Sequence, residues 1–384
     1  MRFEFATAGR IIFGPGAVKE AASAAKELGK RALVVTGRSG VRAASLLGDL
    51  DTAGVACSTF EVGSEPTIDL VRRGTSQARA EQCDLVIAIG GGSVIDAAKT
   101  IACLLTNGGD PLDYIEVIGA GRPLSLPAVP IIAVPTTAGT GSEVTRNAVI
   151  TSPEHKLKAS LRSAGMLPRI AIVDPDLTLD MPPKLTASTG LDALTQLIEP
   201  YVSLRANPMT DAISTEGIRR IRTALPCAFR NGQDREARSG MSIASLFGGL
   251  ALANAGLGAV HGFASPVGGM FDAPHGAVCA AMLPHVIRVN VRALRVRMPE
   301  SDGLRRYESV ARLLTGKPDA SPEDGAAWIA GLCTDLEVPP LRAYGVRDED
   351  IPGLVAKGAK ANSMKANPIL LTEEELKEIL ALAL

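Results

Sequence analysis

The stretch "AIGGGSVIDAAK", Ala88 to Lys99, decides the fold. An apolar run enters Gly90-Gly91-Gly92-Ser93, and a helical pattern begins at once. Three glycines let backbone approach backbone, and a helix start offers unpaired N–H groups at its positive end. That combination makes a phosphate cradle at the mouth of a βα unit. It is neither the GxGxxG fingerprint nor a P-loop, because no Lys-Ser/Thr follows the glycines. On its own it is equally well a tight βα turn.

The surroundings favour the nucleotide reading. "RALVVT" (Arg31–Thr36), "DLVIAIG" (Asp84–Gly90), "PIIAVP" (Pro130–Pro135) and "RIAIVD" (Arg169–Asp174) are apolar runs of buried parallel-strand type. Helical patterns alternate with them, as in a nucleotide-binding sheet. A second small-residue loop, "VPTTAGTGSEVT" (Val134–Thr145), follows the third run and presents hydroxyls and bare backbone. Ligands of open α/β sheets bind beyond the carboxyl ends of strands, where both loops fall.

"DPDLTLDMPPKLT" (Asp174–Thr186) reads as a linker with three prolines. Beyond it the patterns are helical, from "ASTGLDALTQLIEPYVS" to "TEEELKEILALAL", without comparable strand runs. The expectation is an α/β N-terminal dinucleotide-binding domain with a parallel sheet, residues 1–182. An all-α C-terminal domain, residues 183–384, follows it.

Bulk properties agree with this division and exclude other classes. A chain of 384 residues is long for one core. It is 46% hydrophobic and 21% charged, as globular proteins are. A net charge of -1 and 3% aromatics give no footprint for nucleic acid or anionic membrane. Six scattered cysteines without CxxC read as buried thiols of a reducing compartment, and the N-terminus has no leader pattern. A cytoplasmic protein without nucleic-acid or membrane partners is expected. The uncharged stretch Ser242–Val260 is rich in Gly, Ala, Ser and Asn, and reads as a buried core helix.

Chemistry is expected in the helical half. In "GLDALTQLIEP" (Gly190–Pro200), Asp192 and Gln196 stand four residues apart, on one helix face. The chain has only four histidines, and two of them bracket "HGFASPVGGMFDAPH". Pro266, Gly268, Gly269 and Pro274 break that segment, so His261 and His275 can project from different elements toward one point. One carboxylate with two imidazoles suits Zn(II) or Fe(II).

Together these segments resemble the iron-containing (group III) alcohol dehydrogenase family, of dehydroquinate synthase-like architecture. The resemblance runs nearly end to end, from "FGPGAV" through "GGGSVIDAAK", "PTTAGTGSE", "DPDLT" and "GLDALTQLIEPYVS" to "HGFASPVGGMFDAPHGAVCAAMLPHV". It implies interconversion of a small alcohol and its aldehyde or ketone with NADP or NAD, by a homodimer or larger homo-oligomer. It implies a metal site of Asp192, Gln196, His261 and His275, with Asp192 and the two histidines catalytic. It places the cofactor on Gly91, Gly92, Ser93, Asp96, Thr136, Thr137, Thr140, Ser142 and Lys158.

Three positions depart from the family pattern. Gln196 and Ser265 stand where the family usually has His, and Val94 where it usually has Pro. Gln196 is then a weak fourth ligand through its amide oxygen, or a bystander to three ligands, as in the related glycerol dehydrogenases. Alternatively the metal is no longer used, as in the related maleylacetate reductases; a dehydroquinate synthase-like lyase is the other alternative. NAD-specific relatives carry Asp at the position of Gly37. Its absence, with Arg38, Ser39 and Arg42 close by, favours a 2′-phosphate and NADP. With NAD, Glu61 or Glu65 would hold the ribose.

Overall fold

The computed structural model describes every residue except Met1, Ser39, Lys156 and Asp272. The chain forms two compact units. One comprises Ala6–Thr137 with Gly141–Asp180. The other comprises Met181–Leu384 with Ala138–Thr140 and the first few residues.

The first unit is built on eight strands: β1 (Arg10–Phe13), β2 (Arg31–Gly37), β3 (Ala56–Val62), β4 (Leu85–Gly90), β5 (Ile131–Pro135), β6 (Asn147–Ser152), β7 (Leu157–Arg162) and β8 (Ile170–Val173). Six of them pair in parallel, in the order β1-β8-β5-β4-β2-β3. The four apolar runs read from the sequence are β2, β4, β5 and β8. Alternate residues of β4 feed opposite faces. Val86 and Ala88 enter one core with the Gly92–Asn107 helix, while Leu85, Ile87 and Ile89 enter another with Leu46 and Leu50. Both faces are covered, so the central strands read as continuous apolar runs.

β2 leads outward to β3, and the next strand, β4, returns to the other side of β2. The strand order therefore reverses between β2 and β4, the switch point at which such sheets bind ligands. The ends of β4 and β5 are in register, Gly90 opposite Pro135. β6 and β7 form an antiparallel hairpin outside the main sheet.

The second unit is helical. Its long helices are Pro183–Val202, Pro208–Arg230, Arg235–Ala255, Ala259–Phe271, His275–Arg297, Asp302–Thr315, Pro322–Asp335 and Glu373–Ala383. Side chains cap several: Asn207, Asp234, Ser321 and Thr372 each accept from backbone N–H groups one turn on.

Three expectations are corrected. The first helix starts at Pro183, inside the stretch read as a linker; proline fits the first turn, where its missing N–H has no partner to lose. Ser242–Val260 is not one helix, because the chain breaks after Ala255 and the flanking helices lie 103° apart. Pro266, Gly268 and Gly269 do not break their segment, since all three lie within the Ala259–Phe271 helix. Among the described residues, His275–Arg297 alone is a single helix with the length and composition of a membrane span, and 78% of its most apolar 18-residue window is buried.

Candidate functional site

In the α/β unit, the loops after β4 and β5 lie side by side. Thr136 N–H donates to the Gly90 carbonyl (2.9 Å), tying the second loop to the first. Gly91 is the N-cap of the Gly92–Asn107 helix, and no side chain caps it. Such an uncapped helix start has backbone N–H groups available to an anion. A Cβ added at Gly91 would stand 3.4 Å from Thr137, so side chains there would fill the cradle. Gly91, Gly92, Ser93, Thr136 and Thr137 are thus brought together.

Asp96 and Ser142 are used internally. Ser142 Oγ donates to Asp96 Oδ1 (2.6 Å), and Val149 N–H donates to Asp96 Oδ2 (2.9 Å). Lys99, fully buried, donates to Ser142 Oγ and Thr145 Oγ1 (both 2.9 Å) and to the Asn147 carbonyl (3.0 Å). This network pins the hydroxyl loop to the Gly92–Asn107 helix. Burial pulls the Lys99 ammonium down to about 8, against the charges of Asp96 and Glu143. Burial pushes the neighbouring Glu143 carboxyl up to about 7. The sequence reading missed both Lys99 and Glu143. Thr140 groups with the helical unit. Lys158 pairs with Glu65 at 3.3 Å.

Gly37 ends β2 at the switch point, and an added Cβ there would meet nothing within 4 Å. Arg38 is exposed. Its Nε and Glu61 Oε1 both lie 3.5 Å from the Cβ position of Gly63. Ser39 lies outside the described residues.

In the helical unit, Asp192 projects from Pro183–Val202, His261 from Ala259–Phe271, and His275 from the first turn of His275–Arg297. Gly276 permits the third helix to reach the first; a Cβ there would stand 2.2 Å from the Ser188 carbonyl. His261 Nε2 lies 3.4 Å and His275 Nε2 3.7 Å from Asp192 Oδ1. Cys279, one turn beyond His275, brings its Sγ to 3.9 Å from His261 Nε2. One ligand atom from each of these four residues lies within 4.8 Å of every other.

Glu199 fixes the ring of His261. Its Oε1 accepts from Val260 N–H and its Oε2 from His261 Nδ1, both at 2.7 Å. With the proton on Nδ1, Nε2 is a bare lone pair turned toward Asp192. Sequence reading missed Glu199 and Cys279. Glu199 lies seven residues after Asp192, and Cys279 repeats after His275 the four-residue spacing of Asp192 and Gln196.

The residues present fit a divalent ion. Asp192 Oδ1 and Gln196 Oε1 are buried and have no hydrogen-bond partner, which native interiors rarely tolerate. Burial opposes charge on Asp192, yet His275, His261 and the Gln196 amide hold its carboxyl below the usual carboxylate range. Burial also opposes charge on His261, yet Cys279, Asp192 and Glu199 push its pKa well above that of an ordinary histidine. His275 is raised likewise by Cys279 and Asp192 against its burial. The cluster therefore draws in positive charge, which protons or a cation can supply. Ser265 is half-buried, one helical turn after His261.

Comparison with known proteins follows the same division. The family model described as iron-containing alcohol dehydrogenase matches residues 8–175, and that of the Fe-containing alcohol dehydrogenase family, C-terminal, matches residues 186–384. The chain is 38% identical to 1,3-propanediol dehydrogenase of Klebsiella pneumoniae, covering 98% of this chain and 97% of that one. It is 35% identical to lactaldehyde reductase of Escherichia coli strain K12, covering 96% of each. The crystal structure of a 1,3-propanediol oxidoreductase superposes with a TM-score of 0.91 at 37% identity, over 100% of both chains.

Proposed function

This chain belongs to the iron-containing alcohol dehydrogenase family, and from that premise we propose that it interconverts a small alcohol and its aldehyde with NADP(H), using one divalent ion held by Asp192, His261 and His275. It is an oxidoreductase of CH–OH groups, and its family binds a divalent metal and NAD(P). The observation that carries the proposal is the convergence of two imidazole Nε2 atoms on the unpartnered Oδ1 of buried Asp192.

When bound, a divalent ion lowers the pKa of an alcohol and polarises a carbonyl, while the nicotinamide accepts or gives the hydride. The chain's own residues do the rest. Glu199 keeps the His261 proton on Nδ1 and Nε2 free as a donor atom. Asp192 supplies negative charge from a buried position, where screening is weaker and it acts more strongly. The uncapped start of the Gly92–Asn107 helix receives the pyrophosphate, and Gly91 leaves the space for it. Lys99 and Asp96 hold the hydroxyl loop against that helix. Proton exchange with the substrate oxygen is assigned to water, the Ser265 hydroxyl or the cofactor ribose, since no histidine stands at that position.

NADP is favoured by Gly37, which places no carboxylate against a 2′-phosphate, and by exposed Arg38 beside it. Small alcohols, diols and aldehydes are the substrate class, supported by what the relatives are named for. Six free thiols support a reducing, cytoplasmic location, and the family resemblance supports a homo-oligomer. The test is a panel of short alcohols, diols and aldehydes assayed with both nucleotides, after chelation and with Fe(II) or Zn(II) restored. Turnover that is equal with and without metal would refute the metal-dependent reading.

A further inference from the structure

We infer that Cys279 is a protein ligand of the ion, alongside Asp192, His261 and His275. This inference rests on the metal reading above and adds to it the identity of the fourth donor.

Tetrahedral geometry carries the argument. With metal–nitrogen and metal–oxygen bonds near 2.0–2.1 Å and metal–sulfur near 2.3 Å, donor-to-donor edges are about 3.3–3.6 Å. The observed edges are 3.4 Å (His261 Nε2 to Asp192 Oδ1), 3.7 Å (His275 Nε2 to Asp192 Oδ1) and 3.9 Å (Cys279 Sγ to His261 Nε2). Each is within a few tenths of an ångström of such an edge, and all four donor atoms lie within 4.8 Å of one another.

A buried cysteine is ordinarily a small hydrophobe. Cys279 has no exposed surface, but its Sγ faces an imidazole nitrogen beside a buried carboxylate. Asp192 Oδ1, 2% exposed as a residue and without a partner, is the independent sign that a cation completes this point.

Gln196, one turn after Asp192, helps to hold the Asp192 carboxyl below the usual carboxylate range. Its Oε1 is the atom left without a partner, and it lies 3.5 Å from the Cβ position of Gly248.

The chemistry follows from the donor. A coordinated cysteine is a thiolate, so metal uptake releases its proton to solvent. Thiolate favours Zn(II) and similar borderline ions over harder ones. Zinc also accepts a fifth donor, so four protein ligands remain compatible with catalysis.

The experiment uses full-length apoprotein titrated with Co(II), followed by absorption spectroscopy. The expected result is visible d–d bands of low-symmetry cobalt together with a near-ultraviolet sulfur-to-cobalt charge-transfer band. Cys279→Ser should lose the charge-transfer band, keep cobalt, and bind it about tenfold or more weakly. Gln196→Ala should keep the band. Because the wild-type spectrum decides the matter, a poorly folded variant does not. Cobalt d–d bands without the charge-transfer band would overturn the role of Cys279 while leaving the metal site standing. A band that survives in Cys279→Ser would assign it to another thiol and overturn the proposal. Failure to bind cobalt at all would overturn the metal reading, and this inference with it.

Discussion

Glu199→Gln changes one atom of a buried carboxylate and asks what that atom does for His261. In the native chain both oxygens accept, one from Val260 N–H and one from His261 Nδ1, each at 2.7 Å. Glutamine has one acceptor and one donor. If its oxygen stays on Val260, its NH2 faces Nδ1, and the ring proton must move to Nε2. Nε2 is the atom that faces Asp192, so the ring can no longer offer a lone pair there. If the amide turns over, Nδ1 keeps its proton, but the NH2 then meets Val260 N–H and two buried donors oppose each other. An unsatisfied buried donor costs about 1–3 kcal/mol. Metal binding requires the second arrangement, so affinity should fall roughly 10- to 100-fold, the usual effect of losing a group that orients a ligand. Competition against a chromogenic chelator measures this, with thermal unfolding of the metal-free form as the check on folding. A Glu199→Gln affinity within about twofold of wild type would refute the orienting role.

Other expectations concern the α/β unit. Gly37→Asp has open space for its side chain, and should shift preference from NADP toward NAD by about tenfold or more through repulsion of the 2′-phosphate; a wild type that already prefers NAD strongly would contradict this in the same steady-state assay. Gly91→Val should raise the dissociation constant for reduced cofactor about tenfold or more with little change in unfolding temperature, because it fills the cradle beside Thr137; nucleotide fluorescence titration reads this. Glu143→Gln should remove a pH dependence of stability. The folded chain keeps the Glu143 proton up to about 7, whereas the unfolded chain releases it near 4.5. Native stability from this group therefore falls as pH rises through that window, by about 3 kcal/mol at most. Urea unfolding at pH 5 and pH 8 should show a smaller difference for the variant than for wild type.

The parts of the fold legible in the sequence were those buried on two faces. β2, β4, β5 and β8 announce themselves as apolar runs because helices cover both sides of the sheet. β1 and β3 escaped notice because they are edge strands: β1 has only exposed and half-buried residues, and β3 buries only Phe60 and Val62. β6 alternates half-buried and buried positions and β7 does so less regularly, each over only six residues with polar ones interspersed. The break at Gly256 was hidden by uniform small-residue composition, where periodicity carries little signal. At the candidate site, Asp192, His261 and His275 stood out because histidine is scarce and the two flank a single segment. Cys279 and Glu199 did not, since what distinguishes them is tertiary: one faces an imidazole nitrogen, the other holds that imidazole in one tautomer.

The central claim is that Asp192, His261 and His275 hold an ion on which turnover depends. Metal content per chain and turnover, measured together after chelation and reloading for wild type and His261→Ala, test it most directly. The expected result is one divalent ion per wild-type chain, with turnover lost on chelation and restored on reloading, and neither ion nor turnover in His261→Ala. Unchanged turnover in metal-free His261→Ala would contradict the claim and leave a metal-free reductase in its place.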